Sequence, residues 1–599
     1  MLLAGATGVI FTLPAIGQRG PESLLPPGFG EPPAQQPVPT RPQPNGAQTP
    51  GDDATPLQPS ASTPTASATS DPADNAKNVE NNEEDDEDED EELVIRYDVP
   101  SAARRSLDEI GIISEASGGF PSGAFGVTKG SFLKQVLERT NGPVASRWGT
   151  IIARRLLASR TTTPSDVNGA DWAAERAWLL LRMGDSVVAR RLVQQVDADR
   201  YSKRLLEVAM DSFLANGDLS GMCPLSESGV RLVGDSKWKM SRTICASLAG
   251  EQGSATAFLN QGRYQGWMKG VDYRLTEKAV GAGINGRRSV TIDWENVTGM
   301  NVWRFGLSVA TGIAPPERLF AETGRQIDGW RVQLPMFGAS TRLNNAPGAA
   351  ALGVLSNRDM VDLYSQVVSE DDAPEVAKTQ AELLTTAYTG AGDDEKVAAM
   401  ASLWKAAGTD LKNQGMFVLT ARAAALITPS STHSDSADRL VSSMMTAGLD
   451  NSAAAWSDVV SQGSLAWGLI AVGTPGAESV TYGSLDDFKG TDSSENSHKS
   501  ALLLAGLAGL NRLDATARSN FGDDLGLNVA RQSKWTKAIS AAADRGESGS
   551  VVLLALAGLQ ASNWSDIPAH HLYYIVKSLA AVGLEPEARM IAAEAVAFG

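Results

Sequence analysis

Two cysteines and four histidines are all that the 599 residues offer to metal and thiol chemistry. The histidines, His433, His498, His570 and His571, are scattered. With Cys223 and Cys245 they show none of the paired-ligand spacings of a zinc site. No metal and no cofactor is therefore expected. The chain also lacks a G-x-S-x-G nucleophile elbow and an H-E-x-x-H helix. Ser236-Lys237-Trp238-Lys239 matches S-x-x-K without its usual S-D-N and K-T-G companions. It reads as a capping serine followed by exposed lysines. Gly281-Ala-Gly283-Ile-Asn-Gly286 has the glycines of a dinucleotide loop, but a helix-like string precedes it and the strand-like SVTIDW follows. That is the wrong order for a dinucleotide fold. Clustered lysine and arginine are missing too. The net charge is -18, with ten acidic residues in one run from Glu83 to Glu92, which argues against a nucleic-acid surface.

Long apolar runs are absent as well. Residues 501–510 and 551–559 are about half the ~20 residues a spanning helix needs, so both read as buried helices. Any membrane association is expected to be peripheral at most. Residues 1–17, MLLAGATGVIFTLPAIG, carry no charge and are too short to span. They fit the core and cleavage region of a secretory signal without its positive start, which places the protein in the periplasm or outside the cell. Between Gln18 and Asn82 the only aromatic is Phe29, and all 13 tryptophans lie at or beyond Trp148. Residues 18–98, rich in proline, serine and threonine and then acidic, bury too little apolar surface to order. They are expected to form a disordered tether, with a short strand over 93–98.

What the chain has in quantity is apolar-periodic helix. Gly184, Gly217 and Gly250 each follow such a segment, and they stand 33 residues apart. Ala189 and Ala255 follow two of them by five residues, and Gly583 with Ala588 repeats the pattern. Met222 and Pro224 interrupt it in the second repeat. The step is that of a helix–turn–helix unit. Over residues 170–262 and 568–599 the pattern loosely resembles tetratricopeptide-type repeats. The resemblance implies an architecture, an α-solenoid of helical hairpins, and no binding residues.

The rest is read in the same terms. Residues 101–113, with Leu107, Ile110 and Ile113 at helical spacing, predict a helix. The glycine-rich stretch 118–130 predicts an ordered loop. Helices are expected over 131–140 and 144–158, with Arg154 and Arg155 facing water. The fold class is all-α. Its body is divided into a helical-repeat region 99–262, a less regular helical region 263–346 and a second helical-repeat region 347–599. Polar breaks at 428–438 and 483–497 predict surface loops. Cys223 and Cys245 lie ~9 and ~7.5 Å from their turns at about 1.5 Å per residue. At similar height on adjacent elements they are candidates for a disulfide, the alternative being two buried thiols.

The function expected on these grounds is that of an exported cell-envelope scaffold or adaptor rather than an enzyme. Its partner would be a protein or a cell-wall polymer held on the helical-repeat surface, with Arg190 and Arg191 as candidate contact residues. The alternative is a peptidoglycan-acting glycan hydrolase with a helical superstructure, built from scattered carboxylates.

Overall fold

The computed structural model describes residues 100, 103–283, 290–408 and 411–599, with 411 and 412 described in backbone only. The signal-like start, the tail, the acidic run and the strand expected over 93–98 lie outside these residues. The chain divides into one unit of residues 1–31 and 105–599 and another of residues 32–104. In the second, Ala103 N donates to Pro100 O at 2.8 Å.

The larger unit is all-α apart from one strand pair among the described residues. Strand β1 (Glu109–Ile110) runs antiparallel to β2 (Thr161–Thr162), with Ile110 opposite Thr161. The helices begin with α1 (Gly130–Arg139), α2 (Arg147–Ala158), α3 (Gly169–Arg182), α4 (Ser186–Val193) and α5 (Lys203–Ala215). They continue with α6 (Ser226–Leu232), α7 (Ser236–Leu248), α8 (Gln252–Gln265) and α9 (Gly270–Gly283). Shorter helices follow: α10 (Val302–Ala310), α11 (Gln326–Val332), α12 (Ala339–Leu343) and α13 (Ala346–Ala351). Then come α14 (Asn357–Val368), α15 (Glu375–Thr389), α16 (Asp393–Ala406), α17 (Leu411–Ala424), α18 (Ala437–Thr446), α19 (Asp450–Ala454) and α20 (Leu465–Gly473). The last are α21 (Tyr482–Thr491), α22 (His498–Gly509), α23 (Ala515–Asp524), α24 (Lys534–Asp544), α25 (Ser548–Gly558), α26 (Ala569–Ala581) and α27 (Glu585–Phe598). One apolar core is continuous from Ile110 to Val596.

The regularly spaced glycines end helices. Gly184, Gly217, Gly250 and Gly583 have φ of 85°, 63°, 82° and 82°, the left-handed conformation that side chains resist. Each helix closes with the same pair of bonds. At Gly184, Asp185 N reaches back to Leu180 O at 2.9 Å while Gly184 N bonds Leu181 O at 3.1 Å. Glu251 N and Leu584 N repeat the first of these, to Ala246 O and Leu579 O, at 2.9 Å. These are Schellman closures, which satisfy carbonyls the helix leaves free. Ala189, Ala255 and Ala588 are fully buried behind them. In the second repeat, where Met222 and Pro224 stand, the chain forms a 3-10 turn, Ser220–Leu225, before α6.

Among α3, α4 and α5, and again among α7, α8 and α9, helices pack on their neighbours in sequence. The final helix does not follow that rule. It packs on α2, α18, α20 and α22 as well as on α26, and every residue from Glu587 to Val596 is buried.

Several local expectations are corrected. Residues 101–113 form no α-helix among the described positions: Ile110 is spent in the strand pair, and its carbonyl accepts from Arg176 Nη1 at 2.8 Å. Arg154 and Arg155 do not face water. Arg154 bonds Asp185 at 2.6 Å, and Arg155 bonds Glu587 at 2.7 Å above the Phe120 ring. Residues 483–497 are largely helix, because Thr481 caps α21 and Leu485 and Phe488 bury one face of it. The cap of α7 is Asp235, not Ser236. The stretch 290–294 is not strand, Gly281 and Gly283 finish α9, and residues 284–289 lie outside the described residues. The loop 118–130 is ordered, fixed through Glu547, which accepts from Val127 N at 3.0 Å and Thr128 Oγ1 at 2.5 Å.

Candidate functional site

Capping sets the start of each helix that borders the main open groove. Ser202 caps α5, Asp235 caps α7 by accepting from Trp238 N, and Asn301 caps α10 by accepting from Arg304 N. Two lobes open between these starts. The larger, about 440 Å³, is floored by Val208, Met210 and Trp238 and walled by Lys203, Arg204, Glu207 and Asp211 of α5 with Asp235 and Lys237. The smaller, about 300 Å³, lies among Met268, Asp272, Asn301, Val302 and Trp303. Lys237 borders both lobes.

Three cations of the groove are paired. Arg204 holds the buried Glu175 through two bonds, at 2.9 and 3.1 Å, and lies 3.7 Å from Glu207. The Glu175 bond raises the Arg204 pKa above the ordinary arginine value. Lys237 Nζ bonds Asp211 at 3.1 Å, and Arg304 bonds Asp272 at 2.8 and 3.1 Å. Burial pushes the Asp211 carboxyl above the usual aspartate range, against the pull of Lys237. The aromatic faces are occupied. Arg182 and Arg204 lie over the Trp178 ring at 6.0 and 5.5 Å, and Lys239 lies over Trp267 at 5.5 Å. Trp172, six residues before Trp178, is fully buried against Phe125.

Behind the floor, Cys223 and Cys245 are bonded, with an S–S distance of 2.15 Å and a Cα–Cα distance of 5.3 Å. The bond ties the 3-10 turn to α7, the helix that carries Lys237 and Trp238. Gly229 of α6 lies flat on that tryptophan, since a Cβ there would fall 2.1 Å from the ring.

Arg190 and Arg191 stand elsewhere, on α4. Arg190 bonds Asp218 at 2.7 Å and so joins one turn to the next, while Arg191 is exposed. The histidines do not converge. His433 lies 3.7 Å from Asp394, His498 lies 3.2 Å from Trp564 O, and His570 and His571 neighbour each other beside Trp535. Among the described residues no three His, Cys, Asp or Glu side chains form a metal-binding group.

The 33-residue step could have located the groove. Arg204 and Lys237 stand 33 residues apart, each two residues after a helix cap, and Trp178 and Asp211 are separated by the same step. Read as repeat positions, they fall at equivalent places on successive helices.

A second polar cluster has no such signal. Glu594 is wholly enclosed and accepts from Ser146 Oγ, Arg147 N and Gln414 Nε2 at 2.6 Å and from Trp148 N at 3.1 Å. Burial raises its pKa, with those bonds opposing. Arg147 spends its guanidinium on Ala350 O, Thr446 O and Leu355 O, at 2.8, 2.9 and 3.2 Å, and burial lowers its pKa to about 10. Arg176 serves Leu157 O and Ser159 O at the end of α2, and burial lowers its pKa to about 9. Arg512 does the same for Ala471 O and Thr474 O at the end of α20. These arginines close helix ends and do not face the groove.

The chain matches no protein-family model, and no curated protein is similar to it.

Proposed function

We propose that the protein is an exported scaffold or adaptor of the cell envelope. In this reading the all-α body is an α-solenoid of helical hairpins that holds a protein or polymer partner, and residues 18–98 are a disordered tether. The observation that carries the reading is the two-lobed groove across α5, α7 and α10. Its walls present charges of both signs, among them the Lys237–Asp211 pair and the exposed Lys203. Such a surface gives orientation and specificity to a partner rather than a reacting group. The Cys223–Cys245 bond supports an oxidising compartment, since structural disulfides persist in secreted and periplasmic proteins.

The hydrolase alternative has one observation in its favour, the raised pKa of Asp211 within the groove. Against it stands Lys237, which holds that carboxyl at 3.1 Å.

The test has three arms. Crosslinking in intact cells followed by purification should recover a defined envelope partner. N-terminal sequencing of the mature protein should begin near Gln18, and an intact start in a cytosolic protein would defeat the export reading. A zymogram on purified peptidoglycan should stay blank; clearing by the purified protein would replace the scaffold reading with the hydrolase.

A further inference from the structure

The groove fits one class of occupant better than its rivals. We infer that it binds a short peptide segment carrying charges of both signs, laid across Lys237 from the α5 lobe into the α10 lobe. The inference rests on the partner-binding reading above and narrows it to a ligand chemistry.

Size is the first argument. The lobes measure about 440 and 300 Å³, within the ~300–1,000 Å³ typical of ligand sites. Charge is the second. Lys203, Arg204 and Lys237 share the larger lobe with Glu207, Asp211 and Asp235. A polyanion meets the three carboxylates and a polycation meets the three bases, so each suffers like-charge repulsion. A segment of mixed sign can pair with both sets. Phosphate is disfavoured for a further reason. The starts of α7 and α10 face the groove, but Asp235 and Asn301 already take up N–H groups there.

The aromatic rings argue against a glycan. Sugars stack on open ring faces, yet Trp178 lies under Arg182 and Arg204. Trp303, in the smaller lobe, is 3% exposed. A peptide needs no open ring, because its charged side chains can meet the exposed Lys203 and the partly exposed Glu207 of the larger lobe.

The experiment uses the full-length oxidised protein and fluorescence anisotropy at low salt. The probe is a labelled dodecapeptide of repeating Lys-Ala-Glu-Ala, with chitohexaose and an all-glutamate dodecapeptide as competitors. Binding of the mixed-charge peptide is expected in the micromolar range. It should weaken by about tenfold or more in Lys237→Ala and in the double variant Lys203→Ala/Glu207→Ala, which removes one charge of each sign. Lys534→Glu, exposed and outside the groove, should bind as the parent does. Circular dichroism melts of all variants check the fold; Lys203 is exposed and Glu207 partly so, which keeps the double variant informative if Lys237→Ala is unstable. Absent binding, equal affinity across the variants, or displacement by chitohexaose at the groove would overturn the inference. If crosslinked partners persist unchanged in both groove variants, the groove assignment fails and the adaptor reading stands. If no partner is recovered and the zymogram clears, the adaptor reading itself fails.

Discussion

At the scale of single residues, buried charges here act as fasteners, and Glu547 shows how such a role can be measured. It accepts from Val127 N, from Thr128 Oγ1, and from Arg545 at 3.0 and 2.7 Å. Burial works against its charge, but the bonds from Arg545, Thr128 and Val127 outweigh burial, and its pKa falls below the ordinary glutamate value of 4.5. With a depressed folded pKa, the unfolded chain takes up the proton first as acid is added. Glu547 therefore contributes stability that is fully present above the unfolded pKa and is lost as pH falls through the folded one. Urea midpoints of the parent and of Glu547→Gln, measured from about pH 7 down to about pH 3, should converge below about pH 4.5 as the parent loses its advantage. A gap that stays constant in acid would remove this role. The sequence showed Glu547 only as one acid among many, because Val127 and Thr128, the partners it fastens, lie some 420 residues away along the chain.

At the scale of elements, the turns were legible and the approaches between distant helices were not. A glycine closing an apolar-periodic segment has a local cause, the left-handed φ, so Gly184, Gly217, Gly250 and Gly583 could be read directly. The arginines that close helix ends have no local cause. Arg154 and Arg155 looked solvent-facing because their acceptors, Asp185 and Glu587, belong to other helices. Likewise α21 looked like a loop, since only Leu485 and Phe488 mark its buried face and the rest of it is polar. The difference between local and distant causes can be tested with two glycines. At Gly250 a Cβ meets nothing within 4 Å and φ is 82°, so Gly250→Ala carries backbone strain alone, about 1–2 kcal/mol. At Gly329 a Cβ would lie 2.5 Å from Gly184 O and 2.8 Å from Gly184 Cα, so one backbone must move off another. Gly329→Ala should therefore cost more than Gly250→Ala in urea unfolding. A larger loss at Gly250 would mean that the turn, not the approach, governs this part of the fold.

At the scale of the whole larger unit, the 33-residue step and the last helix make opposite demands. A stack of repeats in contact only with neighbours has a stability that is roughly a sum of local terms, and removing its last unit leaves the others folded. That description suits the contacts within α3–α5 and within α7–α9, while α5 already departs from it by packing on α10. It does not suit α27. Glu594 of that helix accepts three bonds from the start of α2 and one from Gln414 of α17. Glu587 bonds Arg155 at 2.7 Å, and Arg589 bonds Asp450 at 2.8 Å and reaches Gly473 O at the end of α20. Deleting residues 585–599 would leave Arg155 and the start of α2 without these partners and open the core among α18, α20, α22 and α26. Breaking one buried charge pair costs about 3–5 kcal/mol, a large fraction of the ~5–15 kcal/mol by which domains are stable. The chain truncated after Leu584 is therefore expected to lose helical circular dichroism and protease resistance in α2, α18, α20 and α22 together. Retention of a full-length melt by those helices, with only α26 frayed, would show that neighbour-to-neighbour stacking suffices and that the contacts of α27 add little.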